Sequence, residues 1–123
     1  YDLPRPAILF ELDLSALTRK HLSSAKVLSK FPPVYRDIAV VISEHVTNDQ
    51  LLRVMKDEQI DIVRDIYLFD YFSGKSLEKG RKSYAYRILL QDNEKTLTDQ
   101  EVDAAILKLI SALQSKCDAK LRV

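Results

Sequence analysis

The alternation of apolar and polar side chains divides residues 34–123 into six segments. Residues 36–43 (RDIAVVIS) place Ile38, Val40 and Ile42 on one side and Asp37, Ala39 and Val41 on the other. A period of two marks a strand with one buried face. Thr47 followed by Gln50 has the spacing of a capping box, and Leu51, Leu52 and Met55 supply an apolar stripe. A short helix ending near Glu58 is therefore predicted. Residues 62–72 and 82–91 read as two further strands. The second of these separates Tyr84, Tyr86, Ile88 and Leu90 from Ser83, Ala85 and Arg87. Thr98 and Glu101 repeat the capping-box spacing, and Val102, Ala105, Ile106, Leu109, Ile110 and Leu113 recur at helical intervals. Cys117 extends that stripe as a buried structural thiol, and residues 119–123 read as a last, short strand.

The order β-α-β-β-α-β predicts an α+β, ferredoxin-like fold, a four-stranded antiparallel sheet with two helices on one face. The other face stays open unless something binds it. By alternation it carries Asp37, Ala39, Val41, Ser83, Ala85, Arg87, Lys120 and Arg122. The strand at 62–72 does not choose a face. Ile66, Leu68, Asp70 and Phe72 share one parity, Tyr67, Phe69 and Tyr71 the other, and a bulge near Asp70 would change the assignment.

Residues 1–30 differ from the rest. Ile8, Phe10, Leu12 and Leu14 alternate with Ala7, Leu9, Glu11 and Asp13, a strand-like run with no partner nearby. We read 1–30 as the tail of a preceding domain plus a linker, Phe31-Pro32-Pro33 as the boundary, and 31–123 as one domain. A first residue of Tyr1 rather than methionine reads as a piece of a longer protein.

A net charge of +1 does not call for a nucleic acid, so any such case rests on local charge. Five cations (Lys75, Lys79, Arg81, Lys82 and Arg87) and one acid (Glu78) fall within 75–87, punctuated by Gly74 and Gly80. The run is either a solvated loop or a phosphate-facing patch of Lys75, Lys79, Arg81 and Lys82. One cysteine excludes an internal disulfide and suits a reducing compartment. No apolar run approaches the ~18 residues of a membrane span, so a cytoplasmic location is expected. The two glycines cannot build a phosphate loop, and His21 and His45 lack metal-ligand spacing. Asp92, Glu94 and Asp99 lie around a turn and a helix start, where acids favour the helix dipole. No catalytic constellation, cofactor or metal is expected within the chain.

Four motifs occur in order: FPPVYRDIAVVI at 31–42, LFDYFSG at 68–74, KSYAYRILLQD at 82–92 and KTLTDQEVDAAI at 95–106. Together they resemble the C-terminal ferredoxin-fold anticodon-binding domain of bacterial phenylalanyl-tRNA synthetase β subunits. The upstream ILFELDL is similar to the end of the catalytic-like module that precedes this domain in such subunits. The resemblance implies binding to the anticodon region of phenylalanine tRNA. Phe72 matches the ring that stacks on an anticodon base, where the family usually has tyrosine, so a hydroxyl is missing here. Ser83 matches a serine that contacts the anticodon. Asp70 matches an acid that either accepts from a base amino group or fixes the turn, and Arg122 matches a terminal arginine that contacts phosphate or base. Ala39 and Ala85 keep the open face low enough for a base to approach, and Arg87 lies beside them. The resemblance also implies a parent enzyme of α2β2 form, using ATP and magnesium, whose chemistry belongs to the α subunit.

Simpler roles stand beside these: Phe72 as a cap on the core edge, Arg122 as an exposed terminal charge. Two rival functions also stand. An RNA-recognition motif would point the centre of KSYAYRIL at RNA, but that buries Arg87 without a partner, which is expensive. A ligand-sensing or subunit-assembly module of the same fold is compatible with the pattern, because fold alone does not fix function.

Overall fold

The computed structural model describes residues 6–18, 28–74 and 77–122. A single turn of helix, α1 (Leu14–Leu17), precedes β1 (Val34–Ser43), α2 (Asn48–Asp57), β2 (Val63–Phe72), β3 (Arg81–Leu90), α3 (Asp99–Cys117) and β4 (Lys120–Leu121). The strands form one antiparallel sheet in the order β2-β3-β1-β4. From β1 onward this is the expected βαββαβ arrangement.

β1 and β3 pair in unbroken register from Val34 opposite Leu90 to Ser43 opposite Arg81. Their alternation therefore carries straight into three dimensions. Ile38, Val40, Ile42, Tyr84, Tyr86, Ile88 and Leu90 are buried against Leu51 and Met55 of α2 and Val102, Ala105, Leu109 and Leu113 of α3. Burial pushes the Tyr86 phenol up, and its hydroxyl donates to Asn48 Oδ1 at 2.8 Å, fastening the start of α2 to the core. Both capping boxes form, Thr47 with Gln50 and Thr98 with Glu101. Each satisfies two backbone donors that a helix N-terminus would otherwise leave open. α3 ends at Asp118, whose left-handed backbone (φ 49°) directs its N–H to Leu113 O.

Two segments depart from expectation. Residues 6–13 form no strand, and Ile8, Leu9 and Phe10 stand almost fully exposed, paired with neither edge of the sheet. Asp13 instead caps α1, accepting from the Ser15 N–H at 2.8 Å. The last strand is shorter than 119–123, because Ala119 is held by the helix end, its N–H reaching Leu113 O. The Arg122 N–H still donates to Ala39 O at 2.8 Å, prolonging the tie to β1 beyond Leu121. The domain itself is fastened from Ser29 onward. The Ser29 hydroxyl donates to Asp92 O at 2.7 Å, and Gln91 Nε2 donates to Phe31 O at 2.7 Å.

Candidate nucleic-acid interface

The question left by β2 is resolved by its register against β3. Leu68 faces Tyr86, but the next pair is Asp70 with Ala85, then Tyr71 with Tyr84 and Phe72 with Ser83. Phe69 is thus an extra residue, and the strand changes parity across it. Leu68 is inward before the bulge; Asp70 and Phe72 are outward after it. A second shift lies between Val63 and Asp65. After each shift an aspartate accepts from the next backbone N–H: Asp65 Oδ1 from Ile66 at 2.8 Å, Asp70 Oδ1 from Tyr71 at 2.9 Å. On an edge strand these carboxylates occupy donors that would otherwise recruit another chain. Asp70 therefore has a local structural task in addition to its place at the open face.

Reading across the open face gives rows of side chains. Val41, Ser83 and Phe72 make one row, Ala39, Ala85 and Asp70 the next, and Asp37, Arg87 and Tyr67 a third. The first two rows enclose a cleft of about 260 Å³ lined by Ala39, Phe69, Asp70, Phe72, Ser83, Ala85 and Arg122. Six of these are residues singled out from the sequence, brought together from β1, β2, β3 and the residue that follows β4. The alanines make its floor. Ser83 is only 3% exposed, so its hydroxyl is approached through the cleft rather than across an open surface.

Phe72 forms one wall and is 37% exposed. The Arg122 guanidinium lies over its ring at 5.3 Å from the centroid, an arrangement stabilised by the attraction of a cation to the ring face. The ring tip also approaches Gly74, where a Cβ would come within 2.9 Å of Phe72 Cζ. The missing side chain at Gly74 leaves space for the ring in this position.

Arg87 shares the face but lies one row beyond the alanines. Its Nε and a terminal nitrogen donate to both oxygens of Asp37 at 2.7 Å. This fork holds the Asp37 carboxyl below the usual carboxylate range and raises Arg87 further. The guanidinium also stacks on Phe69 at 5.1 Å.

The described members of the cationic run, expected either as a solvated loop or as a phosphate-facing patch, point in different directions. Arg81 is only 19% exposed at its side chain and is paired with Asp118 at 3.0 Å, so it ties β3 to the end of α3. Lys82 has the parity of Tyr84 and lies over that ring at 5.0 Å, across the sheet from Ser83. Lys79 is exposed in the turn before β3, where Gly80 takes a left-handed φ of 79°. Lys75 falls outside the described residues, as does His21. No group of three or more His, Cys, Asp or Glu side chains able to hold a metal occurs among the described residues.

Phe69 is the cleft residue that alternation failed to identify. The signal was present as a strand whose aromatics fitted neither parity, with an aspartate directly after the misfit.

Residues 29–122 match the family described as the ferredoxin-fold anticodon binding domain. Three relatives, each bearing the name phenylalanine–tRNA ligase beta subunit, are similar over nearly all of the chain. That of Nitrosospira multiformis is 44% identical over 120 residues, 98% of this chain and 15% of the relative. That of Dechloromonas aromatica is 42% identical over 122 residues, 99% of this chain and 15% of the relative. That of Chromobacterium violaceum is 44% identical over 123 residues, 100% of this chain and 16% of the relative. The chain therefore spans about one sixth of the length of these relatives.

Proposed function

Because this chain belongs to the ferredoxin-fold anticodon-binding domain family, we propose that it recognises the anticodon region of phenylalanine tRNA on its open sheet face. It does so as the recognition part of a longer phenylalanine–tRNA ligase β subunit. The observation that carries this reading is the cleft, which places an aromatic wall, a low alanine floor, a recessed hydroxyl and an arginine within one base-sized space. Single-stranded loop bases are recognised by stacking and by hydrogen bonds to their edges. Phe72 stacks on the base, backed by Arg122. Ser83 hydrogen-bonds the base edge from the cleft floor, and Asp70 presents its carboxylate to a base amino group. Arg122 and Lys79 supply positive potential along the approach of the backbone, with Lys75 completing the loop's charge, while Arg87, paired with Asp37, presents its flat guanidinium beside the alanine floor.

The parent works as an α2β2 assembly with a phenylalanyl-tRNA synthetase α subunit in the cytoplasm. ATP and magnesium serve its aminoacylation chemistry there, and no step of this chain's action runs through them. Residues 1–30 belong to the module preceding this domain, a reading supported by the exposure of Ile8, Leu9 and Phe10.

The test is titration of the chain with the anticodon stem-loop of phenylalanine tRNA and with a scrambled-anticodon control. Preference for the cognate loop is expected, and Phe72→Ala should weaken it by roughly 1–3 kcal/mol with little change in thermal stability. Absence of binding at low salt overturns the reading. Equal, steeply salt-dependent binding to both loops reduces it to nonspecific phosphate attraction.

A further inference from the structure

Beyond the cleft, the same face carries a group of aromatic rings that the anticodon-base contacts do not use. Tyr35 is 52% exposed, Tyr67 40% and Phe69 50%. Large rings left this open on a sheet face, in adjoining rows, form a concentrated apolar surface rather than scattered exposure. Their placement follows from the register. Tyr67 is opposite Arg87, Asp37 is opposite Arg87 on its other side, and Tyr35 is opposite Leu89 one row further on. Phe69, pushed out by the bulge, lines the cleft and also carries the Arg87 guanidinium on its ring. It joins the two regions.

The Asp37–Arg87 pair gives this second region its character. An arginine bound through both carboxylate oxygens has its charge largely offset and its plane fixed. It serves poorly as a mobile phosphate clamp, but its flat guanidinium is a surface on which a base can lie. Successive rows on one face of a strand are about 6.8 Å apart. A strand leaving the cleft along the sheet therefore meets these rings directly after the alanine row.

We propose that Tyr35, Tyr67 and Phe69, grouped around the fixed Arg87, form a second stacking platform that takes an unpaired base adjoining the one held in the cleft. This rests on the anticodon reading, since the occupant is the continuation of the same RNA strand. Each ring supplies a sequence-tolerant surface, so the platform adds affinity and fixes strand direction while the cleft supplies discrimination.

The experiment measures the affinity of the 123-residue chain for the cognate stem-loop, using Tyr35→Ala/Tyr67→Ala, Tyr35→Phe/Tyr67→Phe and Phe72→Ala. Stem-loops carrying one abasic nucleotide at each loop position in turn serve as probes. The double alanine variant should lose about 5- to 100-fold in affinity, and the double phenylalanine variant should retain it, because the rings rather than the hydroxyls stack. The loss should vanish with an abasic nucleotide at one loop position, different from the position that abolishes the effect of Phe72→Ala. Both tyrosines are exposed, so a thermal midpoint near the parent's is expected for every variant. If the double alanine variant binds as the parent does while Phe72→Ala does not, the platform is overturned, the cleft stands, and the rings are left for a protein partner. If the parent chain binds no stem-loop, the anticodon reading falls and the platform with it.

Discussion

The two faces of this sheet are built from alternate residues of the same strands, yet they differ in how they are organised. On the helix-covered face β1 and β3 keep an unbroken period of two, and its centre is an apolar layer of Ile38, Val40, Ile42, Tyr86, Ile88 and Leu90 under α2 and α3, with Arg36 and Lys82 at its margins. On the open face the pattern is interrupted. The bulge at Phe69 places rings where regular alternation would not. The covered face needs only shape and hydrophobicity, because burial is non-directional. The open face must aim particular groups at one point, and strand irregularities are the means of aiming them. Folding and recognition are thus divided between two sides of one layer.

That division is most severely tested by cutting into the covered side. Ile88 is fully buried at the sheet centre, and Ile88→Ala should cost about 2–5 kcal/mol of stability, read from a urea unfolding midpoint. Below its unfolding transition the variant should still bind the anticodon stem-loop with near-parental affinity. A tenfold loss of affinity in the folded variant would show that the two faces are not separable.

A smaller, opposite effect is expected at Gly74. An added Cβ meets only the tip of the Phe72 ring, at 2.9 Å, and that ring is free to turn aside. Gly74→Ala should change the thermal midpoint little, by less than about 1 kcal/mol equivalent, while lowering stem-loop affinity severalfold by displacing the stacking wall. Unchanged affinity would mean that the position of Phe72 does not matter to binding.

The smallest effect concerns the helix that closes the covered face. A hydrogen bond from Lys95, then those from the Thr98 N–H and hydroxyl, hold the Glu101 carboxyl down to about 2 from an ordinary 4.5. A carboxylate with a depressed folded value contributes stability that is full above the unfolded value and is lost as pH falls through the folded one. The contribution of Glu101 should therefore be intact above about pH 4.5 and decline toward pH 2. Glu101→Gln keeps a capping side chain without the charge, so thermal midpoints of the variant should fall less steeply than the parent's across that window. Parallel slopes would remove Glu101 from the acid response while leaving the two-face comparison intact.

Much of this molecule was legible in the chain because its signals are local. Thr47 with Gln50 and Thr98 with Glu101 announced both helix starts, and the clean alternation of 83–90 assigned Ser83, Ala85 and Arg87 outward before any strand pairing was known. The failures share one cause, dependence on a distant partner. Residues 8–14 alternate like a strand but pair with no strand among the described residues, so the pattern specifies a surface and not a structure. Arg81 and Lys82 looked like parts of one cationic loop. One is drawn to Asp118 across the sheet end and the other lies on the Tyr84 ring.

The sequence by itself determined the order of elements, the inward set of β1 and β3, and the helix caps, since propensity, period and capping act within a few residues. Only the tertiary structure decided which way Asp70 and Phe72 point, that Phe69 joins the cleft to the second group of rings, and that Arg87 is paired with Asp37. A bulge is a property of two strands in register, and an ion pair between residues fifty apart exists only once the sheet has brought them together.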